Sequence, residues 1–185
     1  MVEVPPQRHV VVFDCNVYLD VAHLLGEPYT RESFNKHAAQ LASAPLPADD
    51  PRHDSLRAIA ICTSGRFAGL ETVEVWTSDH IDRMVRNKAM HPTTTDPATG
   101  FRGLGWNQGH AEALVSDLVY GACREIARED VLCKSYCVTN DKQFLRDFRD
   151  GRLRDHTVVL TPARFVALVR AARANHATHG MRRSR

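Results

Sequence analysis

The sequence predicts an α/β fold, a three-layer α/β/α sandwich around a parallel sheet of four or five strands. One observation is the short valine-rich apolar run HVVVF at residues 9–13, which is typical of a strand buried on both faces. Another is that strand and helix patterns alternate along the chain. Such alternation predicts a parallel sheet covered on both faces by helices, with right-handed crossover connections.

The first half of the chain begins with this strand and continues into helices. Apolar residues recur at helical spacing from Val17 until Gly26 ends the pattern. A weaker helical stripe covers residues 30–43, and a further helix is predicted from Asp54, a residue type that often caps a helix N-terminus. We therefore expect a helical segment between the first and second strands.

The middle of the chain contains a second strand–helix unit, a loop and a long helix. The alternating segment TVEVWT, residues 72–77, predicts a strand, and Ser78 follows as a candidate N-cap. Residues 90–106 are rich in Pro, Gly and Thr without a period, which predicts a long exposed loop. From residue 111 to residue 126, an apolar stripe at helical spacing predicts a helix of several turns.

Two further units complete the predicted sheet. The segment YCVT, residues 136–139, is a short strand that is followed by a helical pattern. The segment TVVL, residues 157–160, is the last strand, and Thr161 and Pro162 supply an N-cap and a first-turn proline for a final helix.

Length and composition predict a single globular domain. The 185-residue chain has the size of one domain, which we assign to residues 1–175, followed by a basic tail at residues 176–185 that we expect to be disordered. The N-terminus lacks a signal-peptide pattern, and no apolar run approaches the roughly 20 residues needed to cross a bilayer. We therefore expect a cytoplasmic protein without membrane association, and reduced cysteines. A net charge of +2 means that any binding site for a polyanion must be local.

Two aspartates follow predicted strands. Asp14 comes directly after the first strand, and Asp141 comes shortly after YCVT. Ligands of open parallel sheets bind beyond the carboxyl ends of the strands, so both carboxylates are candidates for a site at one sheet edge. Crowded carboxylates repel unless a cation neutralises them. Oxygen ligands of this kind suit Mg²⁺ or Mn²⁺, ions that support phosphodiester hydrolysis.

Four segments resemble the PIN-domain family, which includes the VapC-type toxins of toxin–antitoxin pairs. VVVFDCNVYLD is similar to that family's first strand and its D-T-N-hydrophobic motif, and YCVTNDKQF to its V-T-x-D-x-x-F segment. TVVLTPARFVAL looks like the closing strand and helix, and GRFAGLETVEVWTSDHI like the approach to the second strand and helix. Together they span roughly residues 9–170. The resemblance implies an acidic cluster that binds Mg²⁺ or Mn²⁺ and cleaves RNA, usually endonucleolytically.

By that resemblance, Asp14 is the first metal ligand and Asp141 the last acid of the cluster. Asn16 matches the family's asparagine, which would orient Asp14 or order the turn. Thr139 matches the hydroxyl residue before the last acid. Cys15 replaces the usual threonine, so a hydroxyl group near the metal is missing.

The resemblance implies two further acids in the centre of the cluster. The family's glutamate in the helix after the second strand is replaced by Arg83 or Met84, and Asp82 is the nearest catalytic substitute. For the third acid, a catalytic residue and metal ligand, the candidates are Glu112 and Asp117 on the long helix. Val115 and Val119 follow Glu112 three and seven positions later, where the family has apolar residues after its acid. Asp117 matches this pattern less well, but the number of residues between it and Asp141 is closer to the spacing in the family.

Basic residues near these acids are candidates for RNA binding. They are Arg83, Arg86 and Lys88 on the helix after the second strand, and Arg102 in the loop. If they neutralise phosphates, RNA binding falls steeply with salt concentration.

The sequence thus predicts a metal-dependent endoribonuclease, with the toxin of a toxin–antitoxin pair as one form of that function. An antitoxin protein and a second copy of the chain are the expected protein partners. The alternatives are a catalytically weak PIN-like module that binds RNA or protein, and an RNA-processing nuclease without an antitoxin.

Overall fold

The computed structural model describes residues 7–97, 102–123, 133–147 and 157–183. The strands and helices follow one another in the order that the sequence predicts. In chain order they are β1 Arg8–Phe13, α1 Cys15–Leu25, α2 Arg31–Leu41, α3 Pro51–Thr63, β2 Thr72–Trp76, α4 Asp79–Met90, α5 Gln108–Leu114, a π-helical segment Val115–Tyr120, β3 Cys133–Val138, α6 Lys142–Asp147, β4 Val158–Leu160 and α7 Pro162–Arg183.

The four described strands form one parallel sheet in the order β2-β1-β3-β4. β1 lies between β2 and β3 and pairs with both, with Val11 opposite Val75 on one side and Tyr136 on the other. Helices flank this sheet, as crossover connections between parallel strands require. The predicted α/β/α sandwich is confirmed, with four strands in the part of the chain that the structure describes.

The core on one side of the sheet is built from aromatic rings. The ring of Phe165 on α7 packs edge-on against Phe13 on β1 and Tyr136 on β3. Tyr18 on α1 contacts Phe13 from the same side. Offset and edge-to-face ring pairs of this kind stabilise a core beyond the area that they bury. They fix α1 and α7 on the sheet and thereby hold the start of α1 at the end of β1.

The helix predicted from Asp54 begins earlier. α3 starts at Pro51, and the side chain of Asp50 caps it by accepting a hydrogen bond from the Arg52 backbone amide at 3.0 Å. Asp54 lies one turn further on, only 3% exposed, where it accepts a hydrogen bond from Arg57 at 2.9 Å. The N-cap assignment to Asp54 is therefore wrong, because Pro51 already supplies a first-turn residue and places the cap before it.

The long helix predicted from residue 111 to residue 126 is not regular. α5 gives way to the π-helical segment after Leu114, and residues 124–132 lie outside the described part of the chain. The apolar stripe is nevertheless buried as predicted, since its members pack in the core. Those members are Ala111, Leu114, Val115, Leu118, Val119 and Ala122. The stripe therefore predicted which face is buried, and missed the change in backbone hydrogen bonding.

Two further boundaries differ from the sequence prediction: β3 begins at Cys133, three residues before the predicted strand at 136–139, and the last helix is longer than predicted. Residues 91–97 and 102–107 of the predicted loop carry no helix or strand. α7 continues to Arg183, past residue 175, where the sequence predicts the domain to end. The described cysteines Cys15, Cys62, Cys123 and Cys137 are free. Among the described residues, no helix is both long and apolar enough to cross a membrane.

Candidate functional site at the carboxyl edge of the sheet

β1 and β3 end side by side at the carboxyl edge of the sheet. Phe13 pairs with Val138, and the Asp14 amide continues the ladder by donating to the Val138 carbonyl at 2.9 Å. The amide of Thr139 donates to the Leu160 carbonyl on β4 at 3.0 Å. The residues that follow the two central strands are thereby held at one edge, where ligands of open parallel sheets bind.

The carboxylate of Asp14 accepts three hydrogen bonds. Its Oδ1 accepts one from the Cys15 amide at 2.6 Å, which caps α1. Its Oδ2 accepts one from Asn16 Nδ2 at 2.9 Å and one from Thr139 Oγ1 at 2.8 Å. Asp14 is half-buried. These donors fix the orientation of the carboxylate, as the resemblance implies for Asn16.

The hydroxyl of Thr139 connects Asp14 with Asp141. The hydroxyl, which is fully buried, donates to Asp14 and accepts from the Asp141 amide at 3.0 Å. Asp141 is exposed, and its Oδ1 accepts from the amides of Gln143 and Phe144 in the first turn of α6. The structure therefore brings Asp14, Asn16, Thr139 and Asp141 together, and both aspartates cap a helix.

A second polar group extends this network and has no counterpart in the sequence prediction. The Asn140 amide donates to Asn16 Oδ1 at 3.2 Å, and Asn140 Nδ2 donates to Asp20 Oδ2 at 2.6 Å. Ser55 on α3 also donates to Asp20, at 2.7 Å. Burial raises the pKa of Asp20 above its usual range, while the hydrogen bonds from Ser55 and Asn140 lower it. Asn140 could have been predicted as part of the network, because it lies in the sequence between Thr139 and Asp141. Nothing in the sequence around Ser55 indicates that it belongs there.

Lys88 on α4 approaches Cys15, the residue after Asp14. Its Nζ donates to the sulfur of Cys15 at 3.6 Å, so α4 brings an ammonium group beside the start of α1. Burial raises the pKa of the Cys15 thiol, the charge of Asp14 raises it further, and Lys88 lowers it. A neutral thiol therefore stands where the resembled family has a hydroxyl group.

Asp82 is engaged away from this network. Its Oδ1 accepts from Arg86 at 2.9 Å, one helical turn along α4. Its Oδ2 accepts from the hydroxyl of Tyr120 in the π-helical segment at 3.0 Å. The bond to Asp82 raises the pKa of Tyr120. In this arrangement, Asp82 links α4 to the π-helical segment.

The two candidates for the third acid are both exposed. Glu112 accepts from Gln108 at 2.8 Å on the surface of α5. Asp117 lies in the π-helical segment, where its backbone carbonyl accepts from Arg31. Across the described ranges, no group of three or more His, Cys, Asp or Glu side chains is arranged to hold a metal ion. Of the five acids predicted from the sequence, Asp14 and Asp141 share a network.

The predicted RNA-binding residues have different surroundings. Arg83 and Arg102 are exposed, and Arg83 donates to the Asp79 carbonyl of its own helix. Arg86 is paired with Asp82, and Lys88 donates to the sulfur of Cys15. The positive charge that α4 offers to RNA is therefore smaller than the sequence suggests, because Asp82 neutralises Arg86.

No family model matches the chain, and neither a curated protein nor a solved structure matches it.

Proposed function

We propose that the chain is a metal-dependent endoribonuclease that hydrolyses RNA phosphodiester bonds, with Asp14 and Asp141 as the ligands of Mg²⁺ or Mn²⁺. The observation that supports this most is the orientation of Asp14. Its carboxylate is held by three donors at the carboxyl edge of the central strand, and Thr139 links it to Asp141. A half-buried, oriented aspartate next to an exposed one at this edge suits a hard divalent cation.

The donor set fits an ion that keeps much of its water. A carboxylate has about four lone-pair positions, and Asp14 uses three of them within the protein. Among the described residues, none donates a hydrogen bond to Oδ2 of Asp141, so this oxygen is available for a ligand. Mg²⁺ in nucleotide-handling sites takes one or two carboxylates, several waters and substrate phosphate oxygens. Asp14 and Asp141 supply the two carboxylates that such an ion takes from the protein.

The residues of the chain then have separate tasks. Asn16 and Thr139 hold Asp14 in position, and Lys88 supplies a positive charge that attracts the phosphate. The divalent ion, when bound, supplies Lewis acidity and lowers the pKa of its water. The exposed cations Arg83 and Arg102 bind the RNA backbone. Arg86 contributes less because Asp82 neutralises it.

The second candidate function is a PIN-like module that binds RNA or protein with little or no catalysis. The observation that favours it is that Asp82 is bonded to Arg86 and Tyr120, while Glu112 lies on the surface of α5 bonded to Gln108. A site with two acids holds a metal more weakly than a site with four, because fewer anionic ligands offset the loss of water.

A cleavage assay with Mn²⁺ and an RNA substrate decides between the two functions. We expect Asp14→Asn and Asp141→Asn to lose at least about 100-fold of the activity, since even outer-shell changes cost about 10- to 100-fold at metal sites. Asp49→Asn is the matched control because Asp49 is exposed in the loop before α3. Equal cleavage by all four preparations contradicts the enzyme proposal.

The same assay tests the remaining acids. Asp82→Asn is expected to keep most of the activity, because Asp82 is engaged by Arg86 and Tyr120. Glu112→Gln and Asp117→Asn decide which of these two, if either, completes the site when RNA is bound. Calorimetric titration of each variant with Mn²⁺ measures metal binding without a substrate. RNA binding that is unaffected by Asp14→Asn, with no cleavage by wild type, supports the binding module instead.

A toxin role adds an antitoxin partner and cytoplasmic action to this proposal. We expect expression of the wild-type chain to arrest growth and expression of Asp14→Asn to be tolerated. Growth that is equal for both points to the RNA-processing nuclease without an antitoxin. Size-exclusion chromatography of the purified chain tests the proposed homodimer.

A further inference from the structure

A cleft of about 330 Å³ lies between α2, α3 and α7 and is separate from the acidic edge of the sheet. Its polar wall consists of Arg57 on α3 with Arg170 and Arg173 on α7. Small apolar side chains, among them Ala38 and Ala60, form the rest of the wall. Ligand sites typically have volumes of about 300–1,000 Å³, apolar walls and a few fixed polar groups. This cleft has the size and composition of a small-molecule site.

Arg57 is buried in the wall of the cleft and is only partly hydrogen-bonded. The residue is 5% exposed, and its Nη1 donates to Asp54 at 2.9 Å and to the Pro45 carbonyl at 2.8 Å. Its Nε is buried and has no hydrogen-bond partner in the described structure. Buried donors in folded proteins nearly always have an acceptor. An acceptor in or beside the cleft would complete the hydrogen bonds of Arg57, a feature that supports the cleft as a site but does not define it alone.

The two arginines of α7 are fixed by neutral acceptors. Arg170 donates to the carbonyls of Ala42 and Ala44, and Arg173 donates to those of Arg66 and Phe67. Within the described residues, neither guanidinium group forms a salt bridge with a carboxylate. Asp54 neutralises Arg57, so the cleft keeps an excess of positive charge on groups whose positions are already set.

We propose that this cleft binds a small organic oxyanion, a carboxylate or phosphate group attached to a compact apolar body. The arginines recognise the oxygens, because a planar guanidinium group matches the geometry of both anions. The alanine-lined wall accommodates the apolar body, because methyl side chains leave space that a larger residue would fill. The inference does not depend on the proposed nuclease activity.

Calorimetric titration of the full-length protein with three probes tests the proposal. The probes are benzoate, phenyl phosphate and inorganic phosphate. We expect benzoate or phenyl phosphate to bind at least about tenfold more tightly than inorganic phosphate, because only they bury an apolar ring. A preference between the two aromatic probes identifies the oxyanion. If neither aromatic probe binds more tightly than inorganic phosphate, the proposal is wrong.

Variants separate a built site from general attraction of anions. Ala60→Leu and Ala38→Leu each fill the cleft while keeping every arginine, and both are expected to abolish binding. Arg170→Gln is expected to weaken binding about tenfold or more through loss of a charge-assisted hydrogen bond. Arg164→Gln is the matched control, since Arg164 is exposed on the same helix and does not line the cleft.

Two outcomes of this series overturn the proposal. The first is unchanged binding to both cleft-filling variants, each checked by circular dichroism for a wild-type fold. The second is an equal loss of binding in Arg170→Gln and Arg164→Gln, which indicates nonspecific charge attraction. Asp14→Asn is expected to bind the probe as wild type does, so failure of the nuclease proposal remains distinguishable from failure of this one.

Discussion

Asp50 and Asp54 lie one helical turn apart at the start of α3, but only Asp54 is buried. Asp54 accepts hydrogen bonds from Arg57 and from the Ala48 amide, at 2.9 Å each. A charge buried in this way depends on its partner, because removing the partner leaves an ion without solvent. Asp50 and Arg52 form an ion pair at the surface, where water solvates either side chain if its partner is removed. This pair therefore contributes far less to the stability of the fold.

The stability of α3 tests this difference. Arg57→Ala is expected to lower the free energy of unfolding by about 3–5 kcal/mol, because it leaves the buried carboxylate of Asp54 without its positively charged partner. Arg52→Ala, on the same helix, is expected to cost about 1 kcal/mol or less. Urea denaturation of both variants at neutral pH provides the comparison. Equal losses for the two arginines contradict a buried role for the Asp54–Arg57 pair.

The ion pair with Arg52 also sets the titration of Asp50. Hydrogen bonds from Arg52 lower the pKa of Asp50 to about 2. Because this pKa is below that of the unfolded chain, the stability it contributes is present above about pH 4 and is lost as the pH falls towards 2. In Arg52→Ala, we expect the pKa of Asp50 to rise from about 2 towards the ordinary value of about 3.9 without reaching it, because the backbone amide of residue 52 still donates to Asp50; carboxyl NMR titration measures the change. A pKa that stays near 2 in this variant means that another donor is responsible.

The candidate site shows which residues the sequence was able to place near one another. Asp14, Asn16, Thr139 and Asp141 lie in two short motifs next to strand ends, so local sequence and strand order were enough to bring them together. The candidates for the second and third acids, Asp82 and either Glu112 or Asp117, lie on helices. Rotation of a helix about its axis by a few tens of degrees changes what such a side chain contacts. Such rotations depend on packing and do not follow from residue spacing alone.

At the level of elements, the π-helical segment is the largest local departure from the prediction. Leu118 and Val119 are buried within it, and Tyr120 reaches outward to Asp82 on α4. A π-helical turn accommodates more residues than an α-helical turn and therefore changes the direction of the side chains that follow it. Asp117 lies within this segment, so the direction of its side chain does not follow from regular α-helical spacing.

A substitution in this segment tests its packing. Leu118→Ala is expected to lower the free energy of unfolding by about 2–5 kcal/mol, because it leaves a cavity at a fully buried position. Leu70→Ala is the control, since Leu70 is 83% exposed and its loss is expected to change stability by about 0.5 kcal/mol or less. Thermal or urea unfolding measures both. A cost for Leu118→Ala as small as that of the control means that the segment does not pack against the core.

On the scale of the whole molecule, the strand order β2-β1-β3-β4 creates the site. It makes β1 and β3 neighbours although more than a hundred residues separate them in the chain. It also directs α4 back towards the start of α1, where Lys88 approaches Cys15. The fold thereby places carboxylates and an ammonium group at one edge.

The salt dependence of RNA binding tests the proposed electrostatic surface. If Arg102 contacts a phosphate, Arg102→Gln is expected to reduce the slope of log affinity against log salt by about 1. Arg66→Gln removes the same charge from an exposed residue beside the start of β2, at the opposite end of the sheet from the acidic edge, and is expected to leave the slope unchanged. Binding of a short RNA measured by fluorescence anisotropy at several salt concentrations gives these slopes. Equal changes in both variants indicate that only net charge matters.

The sequence by itself determined the class of the fold and the positions of Asp14 and Asp141 after two strands of the sheet. Apolar runs, helical stripes and turn residues encode local structure, and alternation of strand and helix leaves few sheet topologies. Only the tertiary structure decided that Asp82 bonds Arg86 and Tyr120, that Ser55 joins Asp20, and that Lys88 lies beside Cys15. The physical reason is that these contacts join distant elements, and helix rotation and packing set them after the local pattern has been satisfied.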